Sequence, residues 1–269
     1  MNSFEFIPEG WNKEVASFNN KEEIQKCIES KNVLQGIVEK CDENSNLYVN
    51  LGNGIEGVIP ANEIEGININ EEGLPKKNLA SGKVHKYVQF KVKGFNDNKE
   101  PILSRKDVQN QALNNAIDNL EVGQKVCGIV KNITTYGAFV EIGGGVVGLA
   151  HIEDLSVARI KTPFERLKIG QKVNIVVKSI NKETKKISLS YKEHFGTWKE
   201  NADKFKAGET VFGTIRETEK NHNGIFVELT PNLVGMAEYK DGLEYGQNID
   251  VMIKKIDYDK KNLVTFLSA

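Results

Sequence analysis

From Gly137 onward the chain alternates with period two. Ala138, Val140 and Ile142 fall on one side, and Phe139 and Glu141 on the other. That alternation predicts a strand over residues 137–142 with one buried face and an outer face carrying Phe139. Similar runs surround it at 125–133, 146–151, 172–181 and 187–191, with Gly143-Gly144-Gly145 as a hairpin turn. Five short strands with glycine turns and one longer excursion before the fourth describe a small closed barrel. The same texture appears upstream at 33–40, 47–51, 55–59, 84–93 and 101–105, where Gly52-Asn53-Gly54 supplies a strong hairpin signal. It returns downstream, opening with Gly208-Glu209-Thr210-Val211-Phe212-Gly213 and continuing at 224–229, 233–237, 249–257 and 263–267.

Between these runs the period changes to that of helices. Residues 21–30 place Ile24, Cys27 and Ile28 on one side behind a cap at Asn19 or Asn20. Residues 107–120 carry a stripe of Ala112, Leu113, Ala116, Ile117 and Leu120, with Asp107 as the expected N-cap. A second spacer over 193–206 holds Phe195 and Trp198, aromatics expected to seat it on a barrel. The plan is therefore all-β: a lead-in (1–30), a barrel (31–106), a helical spacer (107–120), a second barrel (121–192), a spacer (193–206) and a third barrel (207–269). The lead-in is expected to pack on the first barrel and to fray at its start.

Aligning the three units exposes an internal repeat. Gly36, Gly128 and Gly213 open the first strands, and Gly57, Gly148 and Gly235 the third strands. In each second strand an aromatic holds the outward position: Tyr48, Phe139 and Phe226. A polar residue follows two places on. An outward aromatic repeated three times marks a surface platform rather than a chance exposure. In the second unit Tyr136 and Lys131 stand nearby, and rings beside cations on a solvated sheet face suit stacking on bases and contact with phosphates.

Charge changes this picture by locating the ligand. The whole chain has a net charge of −1. Residues 121–192, however, contain twelve Lys/Arg against six Asp/Glu, whereas 31–106 contain eleven against ten and 207–269 seven against ten. The basic middle unit is the one expected to meet nucleic acid. The three cysteines form no CxxC pair and point to neither a zinc site nor a disulfide framework. No long apolar run predicts a membrane span or signal peptide. The chain is expected to be cytoplasmic. The triglycine is followed by neither a Lys-Ser/Thr pair nor a helix, so it reads as a turn rather than a phosphate cradle. His85, His151, His194 and His222 are scattered, and none pairs with a nearby Cys or carboxylate at ligand spacing. No catalytic centre, metal or cofactor is expected.

With Tyr136-Gly137-Ala138-Phe139-Val140, Gly148-Leu149-Ala150-His151-Ile152 and Lys186-Ile187-Ser188-Leu189-Ser190, the second unit resembles the S-one RNA-binding domain, an OB-fold module named for the largest protein of the bacterial small ribosomal subunit. The first unit, with Glu56-Gly57-Val58-Ile59-Pro60, and the third, with residues 224–233, look like degenerate repeats of that family. The whole is similar to its short three-repeat members of the clostridial type. The resemblance implies that RNA lies across strands two and three and the adjoining loops. Tyr136 and Phe139 then correspond to the stacking aromatics and His151 to the third-strand histidine. Asn181 stands where the family usually has Asp, and Lys186 where it usually has Arg. Lys131, Arg159, Lys161, Lys185 and Lys186 are the backbone-contact candidates. The first repeat has Ser45 and Pro60 at the Tyr136 and His151 positions, and the third has Asn223 and Glu238. Tyr48 and Phe226 are thus expected to give weaker RNA-binding sites. The implied function is non-catalytic binding of single-stranded RNA or mRNA in translation, with small-subunit ribosomal proteins as possible partners. The alternative is a protein-docking adaptor, or an RNA-binding regulator in RNA decay or stress response.

Overall fold

The computed structural model describes residues 6–66, 74, 77–218 and 224–267. Three closed five-stranded barrels follow one another along the chain. The first comprises β1 (Leu34–Cys41), β2 (Leu47–Asn50), β3 (Glu56–Ile59), β4 (Tyr87–Phe95) and β5 (Pro101–Ser104). The second comprises β6 (Lys125–Thr134), β7 (Gly137–Gly143), β8 (Val146–His151), β9 (Lys172–Asn181) and β10 (Lys186–Ser190). The third comprises β11 (Thr210–Thr218), β12 (Ile225–Thr230), β13 (Leu233–Ala237), β14 (Asn248–Asp257) and β15 (Asn262–Leu267). Each barrel closes by pairing its first strand with its fourth, and its third with its fifth in parallel. This is the OB arrangement, and closure leaves no free sheet edge.

The repeated glycines have a steric cause. A Cβ on Gly36, Gly128 or Gly213 would stand 2.5, 2.5 or 2.3 Å from a methyl of Val49, Val140 or Val227, the buried valine of the second strand. Each first strand also carries a bulge at the same place, between Val38 and Lys40, Val130 and Asn132, and Ile215 and Glu217. A bulge re-aims one side chain. The residue left over is Glu39, Lys131 or Arg216.

Helix α1 (Lys21–Ser30) is capped by the Asn20 side chain, which accepts from the Glu23 N–H, and buries Ile24 completely. The short helix α2 (Lys77–Ser81) lies in the excursion before β4. Helix α3 runs Arg105–Asn119, starting two residues before the expected position. Its cap is Ser104, not Asp107. Ser104 is the last residue of β5, in extended conformation, and its hydroxyl accepts from the Asp107 N–H at 3.0 Å. Asp107 lies instead in the first turn, where a carboxylate favours the N-terminal dipole. The predicted stripe Ala112, Leu113, Ala116, Ile117 and Leu120 packs into the core of the second barrel with Val146 and Ile142. The helix is thus a packed part of that barrel as well as a spacer. Helix α4 (Trp198–Ala202) completes the second spacer, with Trp198 edge-on to Tyr258 of the third barrel and Phe195 edge-on to Tyr191 of the second.

Two seams fix the barrels to one another. At the first, the segment after residue 6 does more than pack on the first barrel. It crosses to the second, where the Gly144 N–H donates to the Ile7 carbonyl at 3.1 Å. Behind it lies a buried ion network. Arg105 grips Glu9 through Nε (2.7 Å) and Nη2 (3.0 Å), and its Nη1 meets Glu65 at 3.0 Å. The Glu9 amide donates to Glu141 Oε1 at 2.8 Å, joining the network to β7. Burial would raise the Glu9 carboxyl, but the Arg105 guanidinium, helped by Lys83 and Lys131, holds it down at about 2. The triglycine turn fits under this strap. A Cβ on Gly143 would meet the Phe6 carbonyl at 2.5 Å, and one on Gly145 would meet Arg105 Nη2 at 2.4 Å. At the second seam the Val157 and Ala158 amides both donate to the Pro231 carbonyl, at 3.1 and 2.9 Å. Asn232 Nδ2 reaches back to the carbonyls of Lys192 and Gly196, at 2.7 Å each.

Candidate nucleic-acid interface

Strands β7 and β8 and the turns at their ends bring the expected platform together in the middle barrel. Ala138, Val140 and Ile142 are buried as the alternation predicts, and Phe139 is turned outward and half-buried. Tyr136, in the turn between β6 and β7, is 48% exposed. The two rings meet edge to face, centroids 6.1 Å apart and planes at 85°. They therefore offer two nearly perpendicular faces, suited to two differently tilted bases rather than one sandwiched base. Gly137 lets β7 and β8 approach closely here, because a Cβ there would press on the Ala150 carbonyl at 2.5 Å. His151 lies directly across from Gly137 on β8, and its side chain is 45% exposed. The Glu153 amide donates to His151 Nδ1 at 3.4 Å.

The register adds two neighbours that periodicity alone did not single out. Asn132 on β6 and Leu149 on β8 flank Phe139 directly, the first exposed and the second half-buried. A cross-strand register was the signal that would have found them.

The β9–β10 turn supplies cations. Asn181 and Lys186 pair across it, and Asn181 Oδ1 accepts from the Thr184 amide at 2.8 Å. Asn181 thus orders the turn by accepting a backbone hydrogen bond, a role that needs no carboxylate. Lys185 takes a left-handed φ of 52°, and both Lys185 and Lys186 are exposed.

Glu141 overturns the outward-polar expectation. It is 1% exposed, accepting from the Glu9 and Gly145 amides and ion-paired with Lys131 at 2.6 Å. Burial and the neighbouring Glu9 push its carboxyl upward. Lys131 is the bulge residue, so it reaches over β7 onto this acid rather than standing free beside the rings. The third barrel repeats the device: the bulge residue Arg216 binds Glu228, which also takes Arg166 at 2.7 Å. In the first barrel the bulge residue Glu39 accepts from Asn50 at 2.8 Å.

Arg159 and Lys161 stand toward the third barrel. Lys161 Nζ lies 4.2 Å from the ring centroid of Tyr245, and Arg159 lines a cavity of about 230 Å³ with Val157, Arg216, Phe226 and Val234. In the first barrel the Tyr48 hydroxyl donates to Asp42 at 3.1 Å and Lys40 covers its ring at 4.4 Å. Asn223 falls outside the described residues; Glu238 is exposed. Among the described residues there is no cluster of His, Cys, Asp or Glu that could hold a metal ion, and no helix long and apolar enough to cross a membrane.

The family model for the S1 RNA binding domain, the S-one domain of the sequence resemblance, matches residues 28–106 and 119–192. Small ribosomal subunit protein bS1 of Rhizobium meliloti is 36% identical over 160 residues, covering 55% of this chain and 28% of its own length. The small ribosomal subunit protein bS1 homolog of Bacillus subtilis is 28% identical over 254 residues, covering 90% of this chain and 64% of its own. A protein of Clostridium acetobutylicum named 4-hydroxy-3-methylbut-2-enyl diphosphate reductase is 28% identical over 264 residues, 93% of this chain and 40% of that protein. The chain spans less than two thirds of each of these relatives. With three closed OB barrels and two matched repeats covering more than half its length, the chain belongs to the S1 RNA-binding-domain family.

Proposed function

We propose that the protein binds single-stranded RNA without catalysing a reaction, and that the middle barrel is the principal site. The observation that carries this reading is the outward pair Tyr136 and Phe139, the first exposed and the second half-buried, set edge to face beside His151 on the most basic unit of the chain. Stacking on such rings contributes about 1–3 kcal/mol per base and accepts any base. Lys185 and Lys186 follow the backbone from the turn alongside. Stacking accepts any base and these lysines meet phosphates as point charges, so the preference is for single strands rather than for a sequence. The first barrel serves chiefly as scaffold, since Asp42 and Lys40 already occupy Tyr48.

The relatives named as small-subunit ribosomal proteins support a role in translation. There the chain would hold mRNA near the small ribosomal subunit in the cytoplasm, with subunit proteins as partners. The relative named as a reductase extends far beyond this chain, and its name is no argument for a catalytic centre here.

Titrating the protein with a fluorescent single-stranded RNA and with a duplex of the same sequence tests the proposal. Tighter binding of the single strand is expected, weakening with salt by about 0.7 log units per log unit for each phosphate contact. Equal affinity for duplex and single strand would contradict it.

A further inference from the structure

The third barrel looked poorly furnished from its own sequence, because only Phe226 answers to the platform of the second. Its neighbour supplies what it lacks. The loop that leaves β8 at His151 runs to the third barrel and is fastened there by two hydrogen bonds, from the Val157 and Ala158 amides to the Pro231 carbonyl. A third bond joins the Val157 amide to Asn232 Oδ1 at 3.2 Å. This anchoring puts Val157 and Arg159 beside Phe226. Together with Val234 and Arg216 they enclose the cavity of about 230 Å³.

The chemistry of that cavity is specific. Phe226, Val157 and Val234 line it with apolar surface, and Val157 is 53% exposed, so part of that surface is open to solvent. Arg159 and Arg216 complete the lining, and the Arg216 guanidinium is held in place by Glu228, Glu165 and Tyr245. An open pocket lined by aromatic, aliphatic and cationic groups fits a flat, polar-edged heterocycle joined to a phosphate.

We infer that the cavity between the second and third barrels is a composite nucleotide site, in which a base of single-stranded RNA stacks on Phe226 between Val157 and Val234 while Arg159 holds its phosphate. The inference rests on the proposed RNA binding and extends it: the third repeat binds RNA only because the second completes it.

Oligouridylates of about five and about twenty nucleotides, spanning one and several OB site sizes, test this on the full chain. The measured quantity is the ratio of their affinities. Phe226→Ala should shrink the advantage of the long oligonucleotide by about five- to a hundredfold, the range of one stacked base. Val157→Trp, which fills the cavity from an exposed position, should do the same without removing anything from the barrel core. Photocrosslinking of 5-iodouridine RNA should mark Phe226, and the mark should vanish in Val157→Trp. An unchanged ratio in both variants, with no crosslink at Phe226, overturns the inference. The underlying reading fails separately, if Tyr136→Ala/Phe139→Ala leaves both affinities unchanged.

Discussion

Lys131 and Lys185 are both lysines of the basic unit, yet the backbone gives them different work. Lys131 occupies the bulge of β6 and closes onto the buried Glu141. Lys185 sits at the tip of a turn with its side chain in solvent. The Lys185→Gln/Lys186→Gln double variant should therefore lower the salt dependence of RNA binding by about 0.7 per lost phosphate contact. Lys131→Gln should leave that slope nearly unchanged and lower the melting temperature. Glu141→Ala should be worse for stability, because it strands the Glu9 and Gly145 amides, each at about 1–3 kcal/mol. In a chain of this size each kcal/mol corresponds to about 2–4 °C, so calorimetry resolves the difference. Periodicity identified Phe139 because an outward aromatic stands out in an alternating strand. It misread Glu141, because alternation reports which side of a strand a residue faces and not what covers that side.

At the scale of elements, the strands and their glycine turns were legible, since burial with period two and tight turns leave local marks. The cap of α3 was less so. Strand β5 runs straight into the helix, so Ser104 serves both, and Asp107 offered the more familiar signal. The crossing of the strap to the second barrel was not legible. The Glu9 amide meets Glu141 across 132 positions of sequence, and no local pattern encodes such a contact. The acidic lead-in is expected to pack on the first barrel, but nothing in its sequence marks Glu9, which is 5% exposed and paired with Arg105. Glu9→Gln should weaken this seam strongly, because losing one partner of a buried pair costs about 3–5 kcal/mol. Limited proteolysis should then cut within residues 6–18 faster than in the parent protein. Unchanged cleavage would remove the strap from the account.

For the whole molecule, the seams decide whether three barrels act as one surface. Both contain carboxylates held below their ordinary range. Glu9 is held by Arg105 against its burial, and Glu65 likewise by Arg105 and Lys83. Glu165 is held, again against burial, chiefly by the Tyr245 hydroxyl. A carboxyl lowered in the folded state stabilises it above the unfolded value, and that stability is lost as pH falls. For Glu9 the window runs from 4.5 down to about 2. Glu141 is shifted the opposite way by burial and by Glu9, so it offsets part of the loss. Small-angle scattering should show the radius of gyration growing as pH falls through that window, while the separate barrels keep their strand signal. A constant radius would mean that the seams do not depend on these charges.

The most direct test of the central claim is binding of single-stranded RNA to Tyr136→Ala/Phe139→Ala beside the parent protein, with circular dichroism to establish that both are folded. Tyr136 is exposed and Phe139 half-buried, so the barrel is expected to survive the change. A loss of affinity of at least about fivefold is expected, the lower range for one stacked base, and more if both rings stack. A folded variant that binds single-stranded RNA as tightly as the parent would contradict it.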